Sequence, residues 1–444
     1  KNTDAFSGKR LVEPYRDNLY VVQNPPAKPL SVQDMDDVYA LPYMRKWHPS
    51  YDAAGGIPAF SEVKFSLISN RGCFGGCAFC TISAHQGKFV SSRSEESVLD
   101  EVRKLTRMPG FKGYISDLGG PSANMYRMGG RNEALCRKCS RPSCIYPSLC
   151  RNLNNDHRPL MELYRKVDRL AGVKKSFIGS GIRYDLFGDN NRDYLREVVV
   201  NHVSGRLKVA PEHVSDAVLS KMGKPERSVY EEFCRRYRKM NETLQKKQYL
   251  VPYLMSSHPG STLKDAVYLA EYLYKNHMRP EQVQDFYPTP GTVSTCMFYT
   301  GLDPYTLKPV FVEKTAEGKA LQRALLQYYE PRNAEKVIKA LKMTHREDLI
   351  PLLVPAEGRR AVQRSARRAE AAEVTIHNDG TYTVRPNGKG KGRPQGHAAP
   401  ANRSAGGRQP SPGARFAPRS APGHKPKNDQ QKENTTWKNT NRKK

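Results

Sequence analysis

With 444 residues, this chain can bury one large core or two ordinary ones, and it has no apolar stretch of the roughly 18–20 residues that cross a bilayer. We therefore expect neither a transmembrane helix nor a membrane partner. The net charge of +29 favours polyanionic partners, while nine cysteines without a secretory signal indicate a cytoplasmic metal protein rather than a disulfide-stabilised secreted one.

Residues 1–60 are predicted to form a connector rather than a domain. They are rich in Pro, Tyr and Asp, show little periodicity, and contain too many prolines for long helices. The chain starts at Lys1 without an initiating Met, so we expect this connector to be the end of a missing upstream domain.

Alternating strand and helix patterns begin at Val63. Each unit is a short apolar run, a polar or Gly-rich loop, and then apolar residues at three- and four-residue spacing. The predicted strands are 63–70, 113–118, 174–180, 205–210, 249–255 and 282–287. The predicted helices are 94–107, 159–171, 191–201, 227–246 and 262–276.

This alternation is typical of an α/β protein with a parallel sheet and outer helices. Six units joined by right-handed crossovers can curl into a partial (β/α)6 barrel of the TIM-like type, spanning residues 61–300. Candidate functional groups follow nearly every strand, which favours such a barrel over an open doubly wound sheet. At the start of the first helix, Ser92 and Glu95 have the spacing of a capping box.

Three further segments interrupt or follow this core. Residues 119–158 are too long for an ordinary loop and are predicted to be a cysteine-rich insertion. Residues 301–357 regain a helical pattern and are predicted to form a helical C-terminal extension. Residues 358–444 have few large apolar side chains, which predicts a disordered basic tail.

The basic tail is the segment where a polyanion would bind. Residues 351–444 carry 20 Lys and Arg against 6 Asp and Glu. Such a segment attracts nucleic acid non-specifically. The alternative is a solvated tail without a dedicated partner.

Cys73, Cys77 and Cys80 follow the first predicted strand in the sequence RGCFGGCAFC. Three thiolates so close in sequence can converge on one centre, and the intervening glycines let the backbone fold around a bulky cluster. Structural zinc normally takes four ligands, whereas three cysteines on a four-iron cluster leave one iron open for a cofactor. The triad therefore favours a [4Fe-4S] cluster, with zinc or a pure electron-transfer site as alternatives.

This triad, with Phe79 just before its third cysteine at the start of a six-unit barrel, resembles the signature of radical SAM enzymes over roughly residues 63–290. The segments LPYMRKWHPSY, RGCFGGCAFC, ISDLGGPSANMYRMGG and IGSGIRYDL also resemble the uncharacterised bacterial YgiQ family. The resemblance implies that S-adenosylmethionine (SAM) binds the open iron and is cleaved to methionine and a 5′-deoxyadenosyl radical. It also implies an electron donor such as flavodoxin or ferredoxin, and a substrate that the sequence does not identify.

The resemblance implies SAM contacts after the second strand and on the triad itself. Gly119 and Gly120 occupy the place of the superfamily's Gly-Gly-Glu, with Pro121 where the acid is usual. The amino group of SAM would then be bound by backbone carbonyls of this turn or by Asp117. Phe79 is expected to lie beside SAM as well.

Later strands supply the remaining candidates. Ser180 and Arg183 follow the third strand, and Arg183 is expected either to pair with the SAM carboxylate or to be an ordinary surface residue. Glu212, after the fourth strand, would accept hydrogen bonds from ribose hydroxyls or cap the next helix. Gln284 and Asp285 are predicted as a buried amide and acid that contact the substrate.

The insertion contains a second cysteine set, Cys136, Cys139, Cys144 and Cys150. Four cysteines in fifteen residues can close a tetrahedral metal site, and thiolates suit both zinc and a second iron–sulfur cluster. The surrounding Lys and Arg residues would offset thiolate charge or present a positive surface to a polyanionic substrate.

Two other functions fit parts of the sequence. The basic tail and insertion favour an RNA-modifying radical SAM enzyme that is similar to the methylthiotransferases. A non-catalytic nucleic-acid-binding protein, stabilised by zinc at both cysteine sets, is the alternative from a different class.

Overall fold

A computed structural model of the chain describes residues 4–188, 191–370, 372–376 and 382–386. The strands are β1 (Leu11–Pro14), β2 (Tyr20–Gln23), β3 (Ser66–Ile68), β4 (Asn70–Arg71), β5 (Ser91–Ser92), β6 (Tyr114–Ile115), β7 (Asp117–Gly119), β8 (Gly129–Gly130), β9 (Leu153–Asn154), β10 (Lys175–Ser176), β11 (Arg206–Glu212), β12 (Tyr249–Ser256), β13 (Gln284–Asp285), β14 (Ala372–Ile376) and β15 (Tyr382–Pro386).

The helices are α1 (Val32–Ala40), α2 (Phe60–Val63), α3 (Ile82–His85), α4 (Glu95–Thr106), α5 (Glu133–Arg137), α6 (Arg158–Asp168), α7 (Arg192–Glu197), α8 (Asp216–Met222), α9 (Arg227–Thr243), α10 (Leu263–Lys275), α11 (Val293–Thr300), α12 (Ala316–Leu326), α13 (Ala334–Met343), α14 (Ile350–Leu353) and α15 (Ala356–Glu370). A π-helical turn, Val198–His202, extends α7. None of the helices in the described part of the chain is long and apolar enough to span a bilayer.

Six strand positions follow one another in chain order, and each is bonded in parallel to the next. β3 pairs with β7, and β6, the preceding segment of the same strand position, pairs with β10. The segment after β10 bridges to β11 through Ile182 and Val209, and β11, β12 and β13 form a three-stranded sheet. The mixed α/β fold predicted from the alternating pattern is therefore confirmed.

Two predictions about the first strand–helix unit differ from the structure, namely where the strand begins and which residue caps the helix. Residues 63–65 were predicted to open the first strand, but α2 covers Phe60–Val63 and β3 begins only at Ser66. The capping box predicted for Ser92 and Glu95 is wrong, because the side chain of Ser94 caps α4 by accepting from the Ser97 amide at 3.1 Å.

Helix α15 crosses the boundary at which disorder was predicted to begin. It runs to Glu370, and Val362 packs against the apolar cluster formed by α10, α12, α13 and α14. Gly358 lies so close to Ala334 that an added Cβ would be 2.8 Å from the Ala334 Cβ. The prediction that disorder begins at residue 358 is therefore wrong, because the apolar side of this helix is sufficient for it to pack against that cluster. β14 and β15 pair as an antiparallel hairpin, and residues 387–444 lie outside the described part.

A buried arginine fixes the end of the first parallel strand against α4. Arg93 is fully buried, and its guanidinium donates to the carbonyls of Ile68 at 3.0 Å and Ser97 at 2.7 Å. It also pairs with the carboxylate of Glu101, whose other oxygen pairs with Arg45. Because Cys73 follows the end of β3 by five residues, this ion pair sets where the segment that carries Cys73 leaves the sheet.

We expect Arg93→Met to lower the free energy of unfolding by about 3 kcal/mol or more, because two buried carbonyls lose their donor and the buried Glu101 carboxylate loses one of its two cations. Urea unfolding followed by circular dichroism measures the change. Arg103→Met on the same helix is the control, since Arg103 pairs with Glu96 and Asp100 in solvent and its loss should leave the unfolding midpoint unchanged. Equal losses in the two variants would contradict the assignment.

Candidate metal and cofactor site

The loop that carries the cysteine triad, residues 71–80, depends on two glycines in left-handed conformations. Gly72 has φ +85° and Gly76 has φ +61°. A Cβ at Gly72 would overlap the backbone oxygen of Phe89, and one at Gly76 would overlap the backbone oxygen of Pro142. Only glycine therefore allows this triad loop its tight path.

Backbone hydrogen bonds attach the triad loop to its surroundings. The Cys73 amide donates to the Gly87 carbonyl at 3.0 Å. The Ala78 amide donates to the carbonyl of Met222 at 2.8 Å, and the Ala78 carbonyl accepts from the amide of Ser294 at 2.9 Å. The end of α8 and the start of α11 thus hold the middle of the loop.

The three thiols lie in a low-polarity environment. Cys73 is buried, and the Gly75 amide donates to its sulfur at 3.4 Å. Burial raises the pKa of Cys73 and raises that of Cys80 to about 11, and the charge of the neighbouring Cys77 adds to both shifts. Without a metal, Cys73 and Cys80 therefore carry their protons at neutral pH, and binding of a metal must displace those protons.

The chemistry of this donor set fits an iron–sulfur cluster, since soft thiolates in a buried loop are the usual cluster ligands. In residues 4–188 and 191–370, with the two short strands that follow, no group of three or more His, Cys, Asp or Glu side chains is arranged around the position of a metal ion. Coordination would thus draw the three sulfurs together from their positions on the triad loop.

A buried ion pair lies against the triad. Arg183 donates from Nε to Asp185 Oδ1 at 2.9 Å and from Nη2 to the other carboxylate oxygen, while Nη1 donates to Cys77 Sγ at 3.3 Å. Burial alone would raise the pKa of Asp185, but the Arg183 guanidinium outweighs it and the net shift is downward. Burial likewise opposes the charge on Arg183, and Asp185 and Cys77 reverse that effect and raise the Arg183 pKa. Both groups are therefore ionised.

Neither prediction for Arg183 describes where its side chain lies in the structure. It is not an ordinary surface residue, because it is only 9% exposed. Nor does it present a free fork to a carboxylate, because Asp185 occupies that fork. Asp185 was missed in the sequence, although its position two residues after Arg183 in IRYDL was the available signal.

Glu212 and Lys224 lie buried on the same side of the triad. Glu212 ends β11 in a left-handed conformation, with φ +67°, and burial raises its pKa while the charges of Lys224 and Arg183 oppose the rise. The helix-capping alternative for Glu212 is wrong, because α8 starts at Asp216 with Ser215 as its N-cap residue. Lys224, 3% exposed, was missed because a single lysine after a helix carries no sequence signal.

The predicted turn after the second strand is already partly used by the protein. The Gly119 carbonyl accepts from the amide and hydroxyl of Ser69, at 2.8 and 3.0 Å. Asp117 accepts from the Ser180 hydroxyl at 3.0 Å and from the amides of Ser180 and Gly179. Ser180 and Asp117 thus bind each other, and Gly120 keeps the free carbonyl of the turn.

The last candidates lie further out. Gln284 and Asp285 are exposed, so their predicted burial is wrong; β13 is the edge strand of its sheet, and Asp285 pairs with Arg323 at 2.7 Å. Phe79 packs against the apolar cluster that contains Met222 and Phe286. Phe79 is therefore close to the triad, whereas Asp285 lies on the exposed edge strand of its sheet.

The second cysteine set lies in the insertion, directly against the triad loop. The Cys144 amide donates to the Phe74 carbonyl at 2.9 Å, and Ser143 Oγ donates to the Gly75 carbonyl at 2.7 Å. Burial raises the pKa of Cys144 to about 11. The charges of Cys150, Cys136 and Cys139 add to this rise, whereas the charge of Lys88 opposes it. The other three cysteines of the second set are therefore close enough to act on Cys144, although the four sulfurs are not yet arranged around a metal position.

Family models match both ends of the chain. Residues 1–66 match the radical SAM N-terminal model, and residues 281–440 match a domain of unknown function, DUF3362. A UPF0313 protein of Clostridium botulinum is 51% identical over 348 residues, which cover 78% of this chain and 54% of that protein. A UPF0313 protein of Clostridium perfringens is also 51% identical over 348 residues, covering 78% and 52%. The chain thus spans about half the length of the curated relatives it matches.

Two solved structures are more distantly similar. The radical S-adenosylmethionine methyltransferase TsrM from Kitasatospora setae, with cobalamin and a [4Fe-4S] cluster bound, aligns at 15% identity with a TM-score of 0.33, covering 55% of this chain and 42% of that one. The cobalamin-dependent S-adenosylmethionine radical enzyme OxsB aligns at 13% and 0.38, covering 83% and 44%. These values are too low to support an argument. Over its first 66 residues the chain is thus similar to the radical SAM N-terminal family, and over 348 residues it is similar to the UPF0313 proteins.

Proposed function

We propose that this chain is the catalytic part of a radical SAM enzyme in which Cys73, Cys77 and Cys80 hold a [4Fe-4S] cluster. The observation that carries the proposal is the contact of the buried Arg183 guanidinium with Cys77 Sγ at 3.3 Å. A fixed cation at a thiol favours the thiolate form and so favours metal binding. When bound, the cluster and SAM supply the chemistry, a one-electron cleavage that yields methionine and a 5′-deoxyadenosyl radical.

We infer that the parallel strands form a partial (β/α)6 barrel around this site. Their pairing in chain order supports this, because successive parallel neighbours wind in one direction. The triad loop and the segments ending at Gly120, Arg183 and Glu212 all leave the carboxyl ends of these strands. In such barrels the loops at that end hold the reacting groups.

From the charges around the triad, we infer that different residues bind the carboxylate, the ribose and the amino group of SAM. Arg183 is held by Asp185 and is positioned to balance the charge of the thiolates. The SAM carboxylate is then assigned to the buried ammonium of Lys224, rather than to Arg183. Glu212 would accept from the ribose hydroxyls, and the carbonyl of Gly120 would accept from the SAM amino group.

The reaction also needs a reductant and exclusion of water. Cys73 belongs to an apolar cluster with Phe74, Met125, Ile145 and Leu186, and Phe79 packs against a second cluster, so that apolar side chains at both ends of the triad limit the access of bulk water to the thiols. We infer a flavodoxin- or ferredoxin-type electron donor and a cytoplasmic site of action. The substrate is assigned only as a molecule with a hydrogen atom open to abstraction.

Cys73→Ser should abolish SAM cleavage, because loss of one of three ligands releases the cluster. After anaerobic reconstitution with iron and sulfide, dithionite and SAM are added and 5′-deoxyadenosine is quantified by chromatography. We expect the product in the wild type and only the enzyme-free background in the variant. Cys234→Ser is the control, since Cys234 packs against the main apolar core away from both cysteine sets. Absence of product from the wild type would refute the proposed function.

Asp185→Asn should weaken the site without removing a ligand, because it leaves the buried Arg183 charge without its counterion and frees the guanidinium to move from Cys77. We expect the rate of SAM cleavage, or the retention of iron against a chelator, to fall about 10- to 100-fold. Glu281→Gln makes the same chemical change in an exposed pair with Arg206 and should have no effect. Wild-type values for Asp185→Asn would show that the ion pair does not support the triad.

A further inference from the structure

We propose that Cys136, Cys139, Cys144 and Cys150 close a second, structural metal centre, and that this centre clamps the insertion onto the triad loop. The metal site stands on the residues of the insertion alone. The effect of the clamp on the triad rests on the proposed function.

The four cysteines are brought together by tight local turns. Cys136 lies in the last turn of α5, and the amide of Cys139 donates to its carbonyl at 3.0 Å. The amide of Cys150 donates to the carbonyl of Cys144 at 2.8 Å. All four thiols are free of disulfides. Metal binding would draw the four sulfurs of these two turns together, and four thiolates are a usual ligand set for a structural metal site.

Groups around the sulfurs are arranged to support thiolates. Asn152 Nδ2 donates to Cys136 Sγ at 3.2 Å, and Asn152 is itself held by hydrogen bonds to the backbone of Asn132. A Cβ at Gly130 would overlap the same sulfur, so glycine leaves it room. Hydrogen bonds to ligand atoms from such outer groups orient and stabilise metal ligands.

Charge balance also favours a bound cation. Four thiolates around a divalent ion carry a net charge of −2, and Lys88 lies over the insertion, donating to the carbonyls of Cys139 at 2.9 Å and Arg141 at 3.2 Å. Lys88 also acts on the thiol of Cys144. With all four positions taken by protein sulfur, the metal has no open position, so its role is structural.

The contacts between the insertion and the triad loop make the second centre a clamp. Cys144, a proposed ligand, donates its amide to Phe74, and the adjacent Ser143 donates its hydroxyl to Gly75. Phe74 and Gly75 lie between the first two cysteines of the triad. Metal binding at the insertion would therefore immobilise the backbone that holds Cys73 and Cys77.

Metal analysis tests the site. Wild-type protein is purified anaerobically and compared with a variant carrying Ser at Cys136, Cys139, Cys144 and Cys150, with zinc and iron measured by plasma mass spectrometry. We expect the variant to lose either one zinc or one complete cluster's iron per chain, which also identifies the metal. The double variant Cys234→Ser, Cys296→Ser, outside both sets, should lose none. Equal metal content in the wild type and the four-serine variant overturns the proposal.

The clamp has its own test. In the four-serine variant, iron bound by Cys73, Cys77 and Cys80 should be lost to a chelator at least about ten times faster than in the wild type, and the backbone amide at position 144 should lose its protection from hydrogen exchange. Ser143→Ala, which removes one contact but no ligand, should cause a smaller acceleration and keep the second metal. A variant that lacks the second metal but retains triad iron like the wild type overturns the clamp. A different result would show that only the proposed function fails: the wild type then contains the second metal but forms no 5′-deoxyadenosine.

Discussion

The site depends most on a buried arginine that serves two acceptors at once. Arg183 gives two of its donors to Asp185 and a third to the sulfur of Cys77. A buried ion pair of this kind is costly to desolvate and adds little net stability, so its value lies in where it holds the charge. Here the charge is held at the sulfur of Cys77. The Arg183 amide and carbonyl are both bonded to the side chain of Asn124, which fixes the backbone that presents the guanidinium.

The elements around this pair come from distant parts of the chain. Arg93 ties the first parallel strand to α4, Met222 ends the helix that follows β11, and Ser294 starts α11. Met222 and Ser294 each form one hydrogen bond with Ala78 in the middle of the triad loop, and Arg93 holds the strand that leads into it. No local segment could hold the loop by itself, because a ten-residue turn with left-handed glycines has little stability of its own.

Much of this arrangement could be predicted from the sequence, and the failures have physical reasons. The alternation of short apolar runs with helical patterns predicted all six strand positions, because parallel strands buried on both faces consist of short continuous apolar runs. Arg183 was expected near the site, but its partner was not, since the choice between a ligand carboxylate and Asp185 depends on three-dimensional geometry. Asp285 was expected to be buried. It is instead the second residue of the two-residue strand β13, which lies at the edge of its sheet with no strand on its outer side. Lys224 gave no signal, because burial of a lysine arises only from tertiary packing.

The hydrogen bonds of the triad loop also bear on when the cofactor can be installed. The loop is complete in sequence once residue 80 has been synthesised, but its neighbours arrive with Gly87, Pro142, Met222 and finally Ser294. A ribosome adds residues one at a time, so the triad emerges long before the last of these contacts is available. For the proposed function this means that a cluster delivered before Ser294 is in place would meet cysteines whose loop has not yet been held.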